Sequence, residues 1–292
     1  MSGGDSMVTL RALKWRLFAP SAHFRKPWAL SGIRFSFPVP PYSSCIGFLS
    51  NIFGSGDWIE EAGEISLGVF SRFSSVSEHL SWVRNLKKEQ HITRFDSISN
   101  RKNSHGEIEH PGGQSPVRFQ ELNDLEVLLY LHLTRKETYE VFLQKAHSPE
   151  NWISHPHLGR AEDWVEFSPP EIVSLSFQPF QGKIEWMTWI PSPGSLAPAD
   201  PNFDNAFPQF PGLLNLVPTL YEKKTVPGFG EFRDFSTIQA KLLETGVFPF
   251  SIEDEPLRPR FPVDPEENLP VSLACLRKEG ETCFSRKATE PA

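Results

Sequence analysis

The chain has 292 residues, 39% of them hydrophobic, with 27 prolines, 19 glycines, 24 phenylalanines and a formal net charge of −7. That length admits one or two domains with a sizeable core, and proline near twice the usual ~5% excludes a simple helical bundle in favour of turns and long loops. The acidic sum speaks against a free-standing nucleic-acid binder. Its distribution does not, because Met1 to Cys45 holds Arg11, Lys14, Arg16, Arg25, Lys26 and Arg34 against Asp5 as the one acid, while acids gather in SIEDEPLRPRFPVDPEENLP.

In chain order, TLRALKWRLF alternates, with Leu13, Trp15 and Leu17 on one face and Ala12, Lys14 and Arg16 on the other. This predicts a strand with an apolar and a partly basic side. A proline-marked loop, Ser21 to Phe35, follows. It interleaves the cations Arg25, Lys26 and Arg34 with the rings of His23, Phe24, Trp28 and Phe35. In PYSSCIGFLSNIFG, Ile46, Leu49 and Phe53 recur at helical spacing. Ser43 or Ser44 is expected to cap that short helix and Gly54 to close it. EISLGVFSRF alternates again and predicts a second strand, interrupted on its apolar face by Ser71.

Regularity then fades. Residues 74–123 are mostly polar and suit an extended hairpin or arm better than a helix. The arm carries Arg84, Lys87, Lys88, Arg94, Arg101, Lys102 and Arg118, diluted by Glu89, Asp96, Glu107 and Glu109. Val127, Leu129, Leu131 and Leu133 alternate as a strand. Thr134 and Glu137 read as a capping box for a helix with Tyr139, Phe142, Leu143 and Ala146 on its apolar face. Strand-like EIVSLSF, KIEWMTWI and LLNLVPTLYEKK follow, then one predicted late helix, STIQAKLLETG, from a Ser236 cap to Gly246. The last forty or so residues are expected to be irregular.

The first half therefore runs strand, helix, strand, insertion, strand, helix, strand. This is the split βαβ order of an α+β, ferredoxin-like domain, the architecture of RNA-recognition domains. The expected units are that domain at 7–165 with its insertion at about 74–123, a β-rich region at 166–250, and an acidic, proline-rich tail at 251–292.

Catalytic motifs are sparse. There is no G-x-S-x-G, Walker loop, H-E-x-x-H or Rossmann glycine pattern, and nothing calls for a metal or cofactor. GFGEF contains a G-x-G without a third glycine, and HPH at His155 to His157 suits loop packing. His23, His105 and His110, in loops beside cations, are the candidates for acid–base work on RNA. The three cysteines, Cys45, Cys275 and Cys283, are odd in number and lack a C-x-x-C, which suggests reduced thiols and a cytoplasmic setting. No signal-peptide layout or membrane-spanning segment is expected.

Cations contact phosphates, and aromatic or guanidinium planes stack on unpaired bases. The Ser21–Phe35 loop offers both chemistries. About equally, Phe24 and Trp28 suit core anchors inside a rim of solvated cations.

The stretch LFAPSAHFRKP followed by FPVPPYSSCIGFLSNIFG resembles the N-terminal signature of the CRISPR-associated "Cas-five" family of the RAMP superfamily. Its strand, proline-rich lead-in and G-h-h helix (h apolar) are matched here by Gly47, Phe48 and Leu49, with Gly54 closing. LGRAEDW at Leu158 to Trp164 resembles a second family patch, and the polar arm falls where members insert a thumb hairpin. The resemblance covers about residues 7–165.

It implies a non-catalytic subunit of a type I effector complex (Cascade), with type I-B the favoured subtype. Such a subunit binds the 5′ handle of the guide crRNA, caps the filament of backbone subunits, docks the large subunit, and reaches target DNA only through the complex. Under that resemblance Arg25, Lys26 and Arg34 contact phosphates, Lys14 and Arg16 assist, Phe24 or Trp28 stacks on a displaced base, and His23 is among the RNA-binding residues. Tyr42, Ser43 and Ser44 meet a phosphate at the helix N-terminus, and Arg101, Lys102, Arg118 and Arg160 add contacts. Type I-C relatives cut precursor RNA without metal, using Tyr, Lys and His. Tyr42 matches the first, whereas the nearest candidates for the others, Lys102 and His105, are not adjacent. The alternative reading is therefore a metal-independent endoribonuclease.

Overall fold

The computed structural model describes residues 9–27, 33–54, 57–84, 114–198, 200–226, 230–247 and 258–276. Trp28, Arg101, Lys102, His105 and His110 lie outside them, as does most of the arm. The first strands and helices are β1 (Thr9–Ala22), β2 (Ile33–Arg34), α1 (Tyr42–Phe53), α2 (Asp57–Ala62), β3 (Ile65–Arg72), β4 (Ser75–Arg84), β5 (Gln114–Leu133) and α3 (Thr138–Ala146). Then come β6 (Glu166–Phe167), β7 (Glu171–Pro179), β8 (Lys183–Ile184), β9 (Met187–Pro191), α4 (Phe203–Ala206), β10 (Leu214–Val226), β11 (Gly230–Leu243), β12 (Gly246–Val247), β13 (Arg260–Asp264), β14 (Leu269–Pro270) and β15 (Ala274–Leu276).

The chain is α+β and dominated by antiparallel sheet. The large sheet runs β10-β11-β9-β3-β5-β1-β7-β13-β14, with β15 paired to β3 and β4 to β5. Its centre is β3-β5-β1-β7, antiparallel throughout, with registers such as Leu17↔Val127 and Leu13↔Ile172. Both faces of β3, β5 and β1 are covered along much of their length, so buried apolar side chains occur in both parities, whereas β7 buries only Leu175. Leu13, Trp15 and Leu17 of β1 join Phe48, Leu49, Phe53 and Phe142 in the core under α1 and α3. Ala12, Phe70, Leu128 and Tyr130 join Phe203, Phe261 and Val263 in a second core on the opposite face. Full burial of one such side chain contributes about 1.5–3 kcal/mol.

The hairpin expected in the polar stretch is present where described. β4 runs antiparallel to the first half of β5, from Ser75↔Asn123 to Arg84↔Gln114.

Several local expectations are corrected. No side chain caps α1, because its N-cap position is Pro41 in extended geometry and neither Ser43 nor Ser44 stands before the helix. Thr134 does not cap α3, whose N-cap is Glu137. Its hydroxyl instead accepts the Glu64 N–H at 3.0 Å, tying β5 to β3. STIQAKLLETG is not helical but the core of β11, paired on one side to β10 (Ala240↔Asn215) and on the other to β9 (Ala240↔Pro191). Ile238 and Leu242 mimic an i, i+4 pair, yet the strand buries Ala240 between exposed or half-buried neighbours at period two.

Residues 260–276, irregular by composition, supply three strands. Phe261, Val263, Leu269, Val271 and Leu273 are buried there between prolines and acids that mask the pattern. Cys275 is disulfide-bonded and Cys45 is free and buried. An odd count leaves one thiol over without forbidding a bridge. Among the described residues no helix is long and apolar enough to cross a membrane.

Candidate nucleic-acid interface

Three prolines set the start of α1. Ser71 donates its hydroxyl to Pro38 O at 2.8 Å, and Trp189 Nε1 donates to Pro40 O at 3.1 Å. Pro41, with φ fixed near −66°, accepts the first helical N–H groups from Ser44 and Cys45. The helix therefore leaves the sheet at a fixed angle, and its first turn borders a groove.

The loop after β1 folds back on itself to form one wall. Phe37 N–H donates to Phe24 O at 2.7 Å, Lys26 N–H to Phe35 O at 2.9 Å, and Phe24 N–H to Ser36 Oγ at 2.9 Å. β2 then runs parallel to β5, setting Arg34 opposite Phe119. The Arg34 guanidinium lies 5.1 Å from the centroid of the Phe119 ring. Burial, and after it the charge of Arg25, lowers the Arg34 pKa. Among the described residues neither Arg25 nor Arg34 has a carboxylate within ion-pair distance. An anion placed beside the two guanidiniums would offset that like-charge repulsion.

The groove has two lobes. The first, of ≈ 470 Å³, is bordered by His23, Arg25, Arg34, Ser43, Ser44 and Phe119. The second, of ≈ 450 Å³, runs along α1 past Gly47 and Asn51 to Tyr221, Arg233 and Phe235 of the β10–β11 hairpin. Ser43, Ser44, Gly159 and Phe235 belong to both. Gly47 borders the second lobe, and a Cβ there would project into open space, meeting nothing within 4 Å.

The structure divides the sequence-predicted residues sharply. Arg25 is exposed and stays with Arg34, Ser43 and Ser44 at the groove, whereas Lys26 is half-buried, 5.6 Å over the Phe37 ring, and borders neither lobe. Arg118 is exposed on β5, opposite Ile33. Phe24 is core, with 1% of its surface exposed, and cannot stack on a base without leaving it. Tyr42 is fully buried and its burial pushes the phenol well above its ordinary pKa, so it presents nothing to a phosphate. His23 borders the groove but is 4% exposed; its Nδ1 contacts Gln120 O at 2.7 Å, and burial holds its pKa down.

Lys14 and Arg16 belong to the opposite side of the sheet. Lys14, 5% exposed, has its ammonium 2.6 Å from Glu266, 3.2 Å from Glu171, 3.3 Å from Glu267 and 3.4 Å from Asp264. Burial opposes that charge, but the bond to Glu266 and the field of Asp264 outweigh it and raise the pKa. Arg16 reaches Glu267 at 2.6 Å. The basic face of β1 thus faces the acids of the C-terminal segment rather than a polyanion.

Arg160 is likewise engaged. It bonds Asp163 at 2.6 Å and Glu121 at 2.8 Å, and these carboxylates raise its pKa against the effect of burial. Asp163 also accepts the His23 N–H at 3.1 Å. Gly159 takes φ +105°, and a Cβ there would stand 2.9 Å from His23 O. LGRAED is therefore a clamp holding the end of β1 at the groove. In HPH, His157 contacts Asn51 at 3.3 Å and His155 packs on Trp164.

Sequence reasoning missed Phe119, Tyr221, Arg233 and Phe235. The last two stood next to a segment read as a helix, and no spacing rule links them to a loop two hundred residues upstream. The available signal was the pair of aromatics in a hairpin pattern, YEKK and EFRDF, flanking the glycines.

No protein-family model and no curated protein matches the sequence. Similar solved structures include a chain of a CRISPR RNA-guided surveillance complex, at 15% identity and TM-score 0.46, covering 81% of this chain and 90% of that one. A CRISPR protein from Archaeoglobus fulgidus has 13% identity and TM-score 0.34, covering 82% and 100%. A chain of the Type III-B Cmr-beta complex bound to cognate target RNA and AMPPnP has 15% identity and TM-score 0.35, covering 80% and 85%. At these TM-scores the likeness does not establish a shared fold.

Proposed function

We propose that this chain is a non-catalytic, RNA-binding subunit of a type I CRISPR effector complex, holding the 5′ handle of the guide RNA in the groove at the start of α1. The observation that carries the reading is the Arg25–Arg34 pair, without a carboxylate partner among the described residues, beside Ser43, Ser44 and the Phe119 ring. Cations, hydroxyls and helix N–H groups there suit the phosphates of a single strand. The order β3-β5-β1-β7, with α1 and α3 on one face, supports the ferredoxin-like reading of the fold. The signature from Leu17 to Gly54 supports the family. Backbone subunits, the large subunit and, through them, target DNA are the partners this role requires.

No observation favours cleavage. Tyr42, the residue offered for it, is sealed in the core.

The test is binding of single-stranded, repeat-derived RNA by the full chain across a salt series. Arg25→Ala and Arg34→Ala should each weaken binding and reduce the slope of log K against log salt by about 0.7, the loss of one phosphate contact on a single strand. Unchanged slopes would place the grip elsewhere. RNA cut at one position in EDTA would instead support the endoribonuclease.

A further inference from the structure

The second lobe of the groove holds groups that a phosphate grip does not use. Tyr221 and Phe235 face each other across β10 and β11, their ring centroids 5.5 Å apart and their planes inclined at 53°. Neither ring covers the other as a parallel stack would. Both are large aromatic side chains left 40% and 41% exposed, and both border the lobe. The Arg233 guanidinium lies 4.8 Å from the Tyr221 centroid.

Their placement depends on a β-bulge. β10 carries one extra residue between Pro218 and Tyr221, where Pro218 pairs with Thr237 and Tyr221 with Phe235. Without it, Leu220 would stand opposite Phe235. Bulges of this kind re-aim side chains at binding sites. Here the bulge leaves Leu220 buried and delivers Tyr221 to the groove. The facing wall is α1, which presents Ser43, Ser44, Ser50 and Asn51 with the bare backbone of Gly47 between them.

We propose that Tyr221 and Phe235, with Arg233, form a stacking subsite for one unpaired nucleobase, opposite the hydroxyl and amide wall of α1. A nucleobase fits because it has π faces for the rings and a polar edge for the wall. An apolar anchor from a protein partner would satisfy the rings but offer nothing to the Ser43 and Ser44 hydroxyls, while Ser50 and Asn51 are already bonded to Trp58, Ser154 and His157. Phe235 borders both lobes, so a strand with its phosphates at Arg25 and Arg34 can place an adjoining base against the hairpin. The identity of the ligand as RNA rests on the function proposed above.

The test uses the full chain, the same single-stranded repeat-derived RNA, and a set of copies each lacking one base. With the unaltered protein, one abasic position should lower affinity roughly 5- to 150-fold, the range for loss of one stacked base. Tyr221→Ala and Phe235→Ala should show a similar loss on intact RNA and no further loss at that abasic position. Tyr221→Phe should retain binding, and the salt slope should be unchanged in all three. Gly47→Leu, which fills the lobe from the opposite wall, should reproduce the loss without touching the hairpin.

A flat abasic scan, or unaltered affinity in Tyr221→Ala and Phe235→Ala, overturns the stacking site while leaving the arginine grip intact. The reverse result, loss in the hairpin variants with unchanged slopes for Arg25→Ala and Arg34→Ala, overturns the grip and keeps the stacking site. Absence of RNA binding by the unaltered protein overturns both.

Discussion

Arg160 Nη2 lies 2.6 Å from one oxygen of Asp163, and the other oxygen of Asp163 accepts the backbone N–H of His23 at 3.1 Å. One carboxylate thus joins the loop after α3 to the end of β1. Its partner arginine, a natural candidate for touching RNA, is already held. Asp163→Ala should therefore act on stability first, at a cost of about 2–3 kcal/mol, below the range for a fully buried pair because Arg160 is partly exposed. A urea midpoint measured against the unaltered chain checks it. A shift under about 0.5 kcal/mol, the ordinary surface range, would show that the clamp contributes little to stability.

Lys14 gives a second separation of folding from binding. Lys14→Ala leaves Asp264, 1% exposed, without its ammonium neighbour, and should destabilise by about 3 kcal/mol. Its RNA salt slope should not change. Because folding raises the Lys14 pKa, the contribution of this group is complete below its ordinary value of 10.5 and fades only as pH rises beyond it. Lys14→Met should abolish that alkaline loss. A slope reduced by Lys14→Met would return Lys14 to the RNA site.

Acid should loosen the chain through two histidines. Burial lowers the pKa of His23, where the charge of Arg160 also opposes protonation while Asp163 and Glu121 favour it. Burial likewise lowers that of His132, whose Nδ1 contacts Arg11 O at 2.8 Å. The unfolded chain takes up these protons first, near the ordinary 6.5, so the contribution is present above that pH and lost as pH falls toward the folded values. His23→Gln should flatten its share of the stability curve between pH 7 and 5. Parallel curves for variant and unaltered protein would show that His23 titrates normally.

Gly47 separates stability from binding in the opposite direction. Alanine there gains about 1 kcal/mol of helix propensity, and its Cβ meets nothing within 4 Å. Gly47→Ala should raise the thermal midpoint and yet weaken RNA binding, because the methyl group occupies the groove. A rise in both quantities would place the ligand away from the face of α1.

Much of the central sheet was legible. The alternation in β1 and β3 and the helical spacing in α1 are strong local signals, and each element formed where its pattern lay. That Arg25, Arg34, Ser43 and Ser44 border one groove was legible because one short stretch contains all four. Which cations were available was not. Lys14 and Arg16 were indistinguishable from binding residues until Glu266 and Glu267, some 250 positions on, were seen against them. Phe24 and Tyr42 show the same limit, since a ring in a loop reads alike whether it faces the core or the groove. The hairpin escaped because Ile238 and Leu242 imitate a helical pair within a strand bonded on both sides.

The pairing of β15 with β3 has a consequence for how the chain comes to be made. Ala274 stands opposite Leu67, roughly 200 positions earlier, and such distant closures slow folding. During synthesis the second core lies uncovered until Phe261, Val263, Val271 and Leu273 emerge to roof it. A nascent chain stalled before them presents more of Phe70, Leu128 and Tyr130 to solvent and to chaperones. Expression is thus expected to tolerate changes in the exposed hairpins far better than a stop codon shortly before Arg260.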